Sequence, residues 1–305
     1  MKKTTLKKLT PDFVLFLLSE YQSYKAKRMR EPMRKEIVKY LENLSSDDMT
    51  DEKREVLEYL KHHFLSYHVY PYVEKYKLRD IIVYADKEKR MYYVLHDNKR
   101  LYFKKTMSRN AVKRCYNELL KEQDVKSPHR YEDVDFHVCE GDVVVDAGAA
   151  EGIFALSVVE KAKKLYLFES DEEWIEPLEA TFASYKDKVT IVNQYISDKC
   201  VIGKVDEVGN ETNLDTFFEN EKIDFIKADI EGAERQLLEG AERILQQADL
   251  KLVLCTYHCK GDAEWLEEKL VNAGFQVEFT KGYCLFVYGQ TLTPPYLRRG
   301  VIRAR

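Results

Sequence analysis

From residue 141 onward, short apolar runs alternate with longer amphipathic segments. The apolar runs, which are typical of buried parallel strands, cover 143–145, 165–168, 189–193, 223–227, 252–255, 276–279 and 283–288. Helical periodicity between them predicts helices near 153–162, 171–184, 233–245 and 262–273. An alternation of strand and helix predicts an α/β fold with a mainly parallel sheet, and the last two strands form a closing pair.

The first 125 residues have a different pattern. Apolar periodicity predicts helices over 10–23, 31–44 and 110–121, with another that begins near Asp51. Three runs rich in β-branched and aromatic residues predict strands at 81–84, 92–95 and 101–103. The turn 96–100 joins the last two strands as a hairpin. We therefore divide the chain into an accessory segment (1–125), a main domain (126–290) and a basic tail (291–305). The tail is interpreted as solvated in preference to an anion-binding arm.

A glycine turn follows the first strand of the main domain. Asp146 ends the strand, Gly148 and Gly152 follow, and an apolar helical pattern begins at once. The next strand ends in Glu169, and an acid about 20 residues beyond such a turn accepts hydrogen bonds from ribose hydroxyls. The spacing is not the Gly-x-Gly-x-x-Gly of dinucleotide folds, which favours a nucleoside without phosphates, of which S-adenosylmethionine is the common one.

Two further strands end in residues that could do chemistry. The fourth strand leads into Asp229 and Glu231, which point the same way in an extended segment. Such carboxylates could position a substrate hydroxyl, hold a divalent metal or contact a cofactor ammonium group, or they could form a surface cluster that caps the next helix. His258 follows the fifth strand and could act as a general base. Cys255 and Cys259 flank it, but without further ligands they do not predict a zinc site.

The polar loop before the first strand contains His129, Arg130 and Tyr131 in succession. Two interpretations remain open for this cluster. It is either a capped connecting loop or a lid over a ligand, because loops at that edge of an α/β sheet are where ligands are handled. A second group of histidines, at 62, 63 and 68, is interpreted as surface or satisfied side chains.

Composition narrows the functional class. The 305 residues are 45% hydrophobic with a formal net charge of −4, which allows a large core and gives no electrostatic footprint for nucleic acid. Six scattered cysteines show no disulfide rhythm, which predicts reduced thiols in a cytoplasm. No apolar run approaches the eighteen or so residues of a membrane span. We expect a cytoplasmic protein, with a homo-oligomer possible.

The main domain resembles the FkbM-type family of S-adenosylmethionine-dependent methyltransferases. Six pieces of sequence carry the resemblance: 145–152, 168–170, 213–217, 223–234, 238–241 and 257–258. The block at 223–234 is the most specific, whereas many methyltransferases share the glycine motif. The resemblance implies a seven-stranded, Rossmann-like class I methyltransferase fold and, usually, O-methylation of a hydroxyl on a sugar or natural product.

The resemblance also implies residue roles. The loop residues Asp146, Ala147, Gly148 and Gly152 would hold the methionine end of S-adenosylmethionine. The ribose and adenine would contact a second set: Glu169, Ser170, Tyr195 and Ile196. Asp229, Glu231 and His258 would lie near the reacting centre, with Asp229 also near the cofactor, and His258 would be the base. The family commonly has Asn where this chain has Ala150, so one polar contact in the cofactor loop is absent.

Two other functions fit the same sheet. A nicotinamide-dependent oxidoreductase would share the fold, but the chain lacks the dinucleotide glycine spacing. A non-catalytic module that binds carbohydrate or supports an assembly would keep the fold without turnover, and Ala150 keeps that alternative open.

Overall fold

The computed structural model describes residues 28–199, 211–287 and 292–305, together with Lys25. The accessory segment begins with helices α1 (Glu31–Glu42) and α2 (Asp51–His62), continues with two short 3-10 turns and a small sheet, and ends with helix α3 (Arg109–Glu122). That sheet is antiparallel and consists of β1 (Tyr84–Asp86), β2 (Met91–His96) and β3 (Lys99–Tyr102). Thr50 and Ser108 cap α2 and α3 by accepting a hydrogen bond from a backbone amide of the first turn.

The main sheet has seven strands in the order β11-β12-β10-β9-β4-β5-β6. Their ranges are β4 (Val143–Ala147), β5 (Lys164–Phe168), β6 (Val189–Val192), β9 (Phe225–Ala228), β10 (Lys251–Cys255), β11 (Val277–Phe279) and β12 (Val301–Ala304). A separate parallel pair is formed by β7 (Tyr195–Ile196) and β8 (Glu211–Thr212). The five strands from β10 to β6 are parallel, and β12 is antiparallel to both of its neighbours. This is the predicted Rossmann-like class I methyltransferase fold.

Five helices lie between these strands: α4 (Ile153–Val158), α5 (Glu172–Thr181), α6 (Leu214–Phe217), α7 (Glu234–Glu239) and α8 (Asp262–Asn272). Successive side chains of a strand point to opposite faces, so the central strands contribute to two cores. Val144 of β4 belongs to the core on one face, whereas Val143 and Val145 belong to the core on the other. The central strands are mostly apolar because helices or the accessory segment cover both faces. Asp146 of β4 and Lys227 of β9 are buried charged exceptions, which pair with each other.

The accessory segment shares its cores with the main domain. Leu101 and Phe103 of the small sheet pack in the same cluster as Val144 of β4. Helices α1 and α2 form a third cluster with residues from the C-terminal part of the chain, among them Leu285 and Leu297. The three-part division of the chain remains a prediction, and the shared cores show that its first and last parts pack directly against the main domain.

The prediction of a solvated tail at 291–305 is wrong. Its last residues form β12, which inserts between β10 and β11 and whose four residues are all buried. Val301, Ile302 and Ala304 supply apolar side chains, and Arg303 stays buried because its guanidinium donates to the Tyr131 and Arg130 carbonyls at 3.2 and 2.9 Å. The basic composition concealed a strand whose arginine pairs with the carboxylate of Asp133, a residue that lies far away in the sequence.

The predicted closing strand at 283–288 is also wrong. Residues 283–287 contain only an isolated bridge between Cys284 and Arg298, and β12 takes the expected place beside β11. The strand predicted at 81–84 begins only at Tyr84. The other predicted strands and helices are present with shifted ends, apart from the predicted helix 10–23, which lies outside the described residues.

Candidate functional site

Four parallel strands deliver the candidate residues to one edge of the sheet. The neighbours β10, β9, β4 and β5 all run in the same direction, so the loops that follow them meet at their carboxyl ends. These loops contain His258, Asp229, the glycine turn and Glu169, respectively. The structure therefore brings together the candidates that the sequence places far apart.

The two glycines of the turn serve packing between elements. Gly148 has φ of +73°, and a Cβ there would lie 1.9 Å from the carbonyl oxygen of Asp229, so the loops after β4 and β9 touch only because the residue is glycine. A Cβ on Gly152 would approach side chains of Leu178 and Phe182 to 2.9 Å. Both glycines therefore have a packing role, and the predicted contacts of Gly148 and Gly152 with a cofactor stay predictions.

Asp146 is fully buried and paired with Lys227 of the neighbouring strand. The Lys227 ammonium lies 2.9 Å from the Asp146 carboxylate and donates to the Gly148 carbonyl at 2.7 Å and the Ala147 carbonyl at 3.3 Å. Burial lowers the pKa of Lys227, but the Asp146 and Asp229 charges outweigh it and leave the pKa raised. Asp146 therefore fixes the position of Lys227, and Lys227 in turn holds the carbonyls of the glycine turn. Through these contacts Asp146 would influence how the turn holds a cofactor.

Glu169 fixes the conformation of the glycine turn. Its carboxylate accepts a hydrogen bond from the Ala150 amide at 2.7 Å and another from the Asp171 amide at 2.8 Å. Ala150 has φ of +46°, a left-handed conformation that is rare for alanine. The buried carboxylate of Glu169 thus links the loops after β4 and β5, and a ribose contact of the same group remains a prediction.

The residues predicted to border the adenine lie near the ends of β5 and β7. The Ser170 carbonyl accepts a hydrogen bond from the Asn193 amide at 3.2 Å. Tyr195 is half exposed on β7, whereas its neighbour Ile196 is buried in the core. Their roles toward an adenine stay predictions, and only Tyr195 of this pair presents a substantial surface to solvent.

Asp229 is the centre of a buried hydrogen-bond network. The Tyr131 hydroxyl donates to one carboxylate oxygen at 2.8 Å, and the Tyr257 hydroxyl donates to the other at 3.1 Å. The ring nitrogen Nε2 of His129 lies 2.9 Å from the Tyr257 hydroxyl and 3.5 Å from Asp229. Burial raises the pKa of Asp229, but His129, Lys227 and His258 outweigh it and hold the pKa well below its usual range. Asp229 is therefore an anion.

His258 lies between three carboxylates. Its Nδ1 is 2.9 Å from Glu234, while its Nε2 faces Asp229 at 3.4 Å and Glu231 at 3.7 Å. Burial lowers the pKa of His258, but the hydrogen bond to Glu234 and the neighbouring charges outweigh it and raise the pKa above 6.5. A carboxylate on Nδ1 fixes the proton there and directs the basic Nε2 toward the edge of the sheet.

The three residues of the cluster at 129–131 divide between the site and the connecting loop. His129 and Tyr131 are buried and reach Asp229, so they belong to the site and do not form an exposed lid. Arg130 instead holds the loop by donating to the Glu132 and Gln123 carbonyls at 2.5 and 2.6 Å.

Among the residues that the structure describes, two groups of three potential metal ligands each have their ligand atoms within 4.8 Å of one another, and both groups contain Asp229. One adds His129 and Cys255, and the other adds Glu234 and His258. Cys255 is buried with its sulfur 3.5 Å from His129, whereas Cys259 is exposed. Because tyrosine hydroxyls already contact both Asp229 oxygens, we describe the cluster as a hydrogen-bond network.

A small cavity of about 80 Å³ opens beside the glycine turn. Its walls are the loop after β4, the C-terminal end of α3, Tyr131, Lys227 and Asp229. Two carboxylic acids, Glu122 and Glu151, also line it. The accessory segment therefore contributes directly to the candidate site through the last turn of α3.

Sequence reasoning assigned no role to several residues of this site. The partner of Asp146 was detectable, since Lys227 occupies the corresponding place on another apolar strand and the two residues are in register. A lysine in a buried strand needs an opposite charge, so that pair could have been inferred. Nothing in the sequence indicated that Tyr257 contacts Asp229 or that Glu122 and Glu151 line one cavity, because these positions depend on how the loops and α3 pack.

Comparisons with known proteins give a family match over part of the chain. Residues 204–277 match the model of the Methyltransferase FkbM domain. A search of curated proteins finds no significant match. Within the described ranges, no helix is both long enough and apolar enough to cross a membrane.

Solved structures similar to this chain include three methyltransferases. FkbM from Methylobacillus flagellatus is 17% identical, with a TM-score of 0.47, over 91% of this chain and 59% of its own. A precorrin-6y methyltransferase from Geobacter metallireducens is 13% identical, with a TM-score of 0.39, over 70% of this chain and 96% of its own. Magnesium protoporphyrin IX methyltransferase from Synechocystis, solved with bound S-adenosylmethionine, is 17% identical, with a TM-score of 0.34, over 54% of this chain and 71% of its own. This chain thus spans 59% of the length of the FkbM structure.

The family match covers the stretch that contains β9, Asp229, Glu231 and Glu234, which is the most specific part of the predicted resemblance. The chain is thereby confirmed to resemble the FkbM-type S-adenosylmethionine-dependent methyltransferases.

Proposed function

We propose that this protein transfers the methyl group of S-adenosylmethionine to a hydroxyl oxygen of a sugar or natural-product acceptor. The observation that carries the proposal is the position of His258, whose Nδ1 contacts Glu234 and whose Nε2 faces the anionic Asp229 beside the glycine turn. An oriented imidazole next to a fixed carboxylate is suited to accept a proton from an attacking hydroxyl.

Features of the chain fit the cofactor. The cavity beside the glycine turn contains a buried carboxylic acid, Glu151, that has no hydrogen bond or ion pair with another side chain among the described residues. Glu169 and Tyr195 continue from that turn across the ends of β5 and β7, where the ribose and adenine would bind. When bound, S-adenosylmethionine supplies a methyl group already activated by its sulfonium centre, so the protein supplies mainly alignment and a base.

The chemistry asked of the side chains is a single proton transfer. His258 Nε2 takes the proton of the acceptor hydroxyl as its oxygen attacks the methyl carbon. Asp229 and Glu231, at 3.4 and 3.7 Å from Nε2, then stabilise the imidazolium that forms. His258 is almost fully buried, which strengthens its interaction with Asp229 because water screens it less, whereas Glu231 has a side chain that is 87% exposed and contributes less.

A larger cavity supports a carbohydrate or similar acceptor. It has a volume of about 570 Å³ and includes Thr256 and Cys259, which flank His258 in the sequence. Other walls come from α1, from Tyr283 and from residues 293–299, and three tyrosines line the cavity: Tyr40, Tyr283 and Tyr296. Aromatic faces with polar tips suit an acceptor that has both apolar and hydroxyl surfaces. We infer that the accessory segment selects the acceptor.

The test is methyl transfer from radiolabelled S-adenosylmethionine to a panel of sugars, glycosides and phenolic natural products. We expect the wild type to label at least one acceptor and His258→Ala to lose turnover while binding S-adenosylhomocysteine normally in isothermal titration. His62→Ala, which removes an exposed histidine of α2, is the matched control and keeps full turnover. Unchanged turnover in His258→Ala would refute the assignment of the base.

The same experiment separates the alternatives. Cofactor binding without turnover on the whole panel favours a non-catalytic module. Failure to bind S-adenosylmethionine, together with fluorescence enhancement on NADH titration, favours a nicotinamide-dependent oxidoreductase.

A further inference from the structure

The cavity beside the glycine turn contains more acidic groups than its cations can balance. Glu151 is 5% exposed, and Glu122 lies opposite it at the end of α3. Within the described ranges, neither carboxyl group has a hydrogen bond or ion pair with another side chain. Ionised carboxylates are almost never buried unless a positive charge accompanies them.

The lysine in the cavity wall cannot serve both acids. Lys227 already contacts the Asp146 carboxylate and the carbonyls of Ala147 and Gly148, and an ammonium group has three donors. Asp229 in the same wall adds another negative charge. The cavity is therefore suited to a cation that comes from outside the chain.

We propose that Glu122 and Glu151 together bind the α-ammonium group of the methionine moiety of the cofactor. This inference rests on the proposed function, because it assigns one end of S-adenosylmethionine to this cavity. The cavity volume of about 80 Å³ is several-fold larger than the roughly 10–15 Å³ that one water needs. A cavity of this size suits the head group of an amino acid and is too small for a whole nucleoside. The accessory segment thereby completes the cofactor site through Glu122.

Electrostatics at Glu151 agree with this role. The charged and titratable groups that face it are Glu122, Lys227, Asp146 and Cys115. Burial, reinforced by Glu122 and Asp146, raises the pKa of Glu151 to about 8. Burial also raises the pKa of Glu122. A bound ammonium group stabilises the ionised form of Glu151 and so lowers its pKa again. Ligand binding at pH 7 therefore releases a proton from Glu151.

The test is isothermal titration of the full chain with two ligands. S-adenosylhomocysteine retains the ammonium group, and 5′-methylthioadenosine lacks the whole amino-acid part. We expect Glu122→Gln and Glu151→Gln each to weaken S-adenosylhomocysteine roughly 10-fold or more, the effect of one charge-assisted hydrogen bond, and to leave 5′-methylthioadenosine unchanged. The matched control is Glu118→Gln, one turn earlier on α3, where the side chain is 48% exposed and paired with Lys121.

Titrations at pH 7 in phosphate and in Tris measure the proton released. Release of about one proton per S-adenosylhomocysteine in the wild type, and of none in Glu151→Gln, supports the inference. Equal affinity of the two Gln variants and the wild type for S-adenosylhomocysteine overturns it and leaves the proposed function standing. Equal loss of both ligands in the variants also overturns it, because the acids would then act on the nucleoside or on folding. If the wild type binds neither ligand, the proposed function itself fails.

Discussion

The buried acid at position 151 should make the stability of the free protein depend on pH. Glu151 has its pKa raised from 4.5 to about 8. Between these values the unfolded chain has lost the proton that the folded chain keeps, so the unfolding free energy falls by about 1.4 kcal/mol per pH unit. Above pH 8, the raised pKa of Glu151 lowers the unfolding free energy of the protein by about 5 kcal/mol in total. Below pH 4.5 this destabilisation is absent, because both the folded and the unfolded chain hold the proton.

Substitution of Glu151 by Gln isolates this effect, because the amide has nearly the same shape and does not titrate. We expect Glu151→Gln to gain stability relative to the wild type as pH rises, by about 3 kcal/mol between pH 5 and pH 7.5. The measurement is urea unfolding of both proteins without ligand, followed by fluorescence at half-unit intervals of pH. Taking the difference between the two proteins removes the contributions of all other titrating groups.

The control is Glu118→Gln, whose carboxylate is 48% exposed and whose difference from wild type should stay within about 0.5 kcal/mol at every pH. A flat difference for Glu151→Gln across the same range would refute the reasoning, since it would show that Glu151 titrates alike in the folded and unfolded chains. A gain in stability together with a loss of cofactor affinity is the pattern expected of a binding residue.

Three further perturbations follow from the contacts. Glu234→Gln should move the rise of kcat/KM with pH to lower pH, because the carboxylate that raises the pKa of His258 is lost, and should lower kcat by roughly 10²-fold; pH–rate profiles show both. Asp146→Asn should cost about 3–5 kcal/mol in chemical unfolding, because it leaves the Lys227 charge buried without its partner. Gly148→Ala should cost about 3 kcal/mol or more by thermal unfolding, because its Cβ would overlap the neighbouring loop.

Each of these has a control on the same chain. Glu239→Gln changes an exposed acid of the same helix as Glu234 and should leave the pH profile unchanged. For the buried pair, adding Lys227→Met to Asp146→Asn should restore part of the lost stability, because the unpaired charge is removed. Gly274→Ala, at φ of +94° with open space around the Cβ, should cost only the roughly 1–2 kcal/mol of left-handed strain. If Gly148→Ala costs no more, the contact between the loops is not required.

Much of the candidate site was predictable because it depends on local rules. Apolar runs fix which segments are buried strands, and parallel strands bring their carboxyl ends to one edge. It follows without coordinates that the glycine turn, Glu169, Asp229 and His258 lie near one another, and the structure places them there. The fold class follows from the same alternation of strand and helix.

The functions of individual side chains were less predictable, since direction and burial are set by packing. The pairing of Asp146 with Lys227 depends on the register of two neighbouring strands, and the predicted cofactor contact of Asp146 stays a prediction. The glycine spacing alone did not indicate that the space beside the α-carbon of Gly148 is filled by the carbonyl of Asp229.

By itself, the sequence determined the parallel core, the order of its helices and strands, and the edge at which the chemistry lies, because hydrophobic period and glycine positions are local properties. Only the tertiary structure decided that residues 301–304 form a buried strand between β10 and β11 and that Glu122 of the accessory segment lines the same cavity as Glu151. Both results depend on contacts between residues that are distant along the chain. From sequence alone, a buried arginine or acid is predicted to lie on the surface, because only the fold shows which groups compensate its charge.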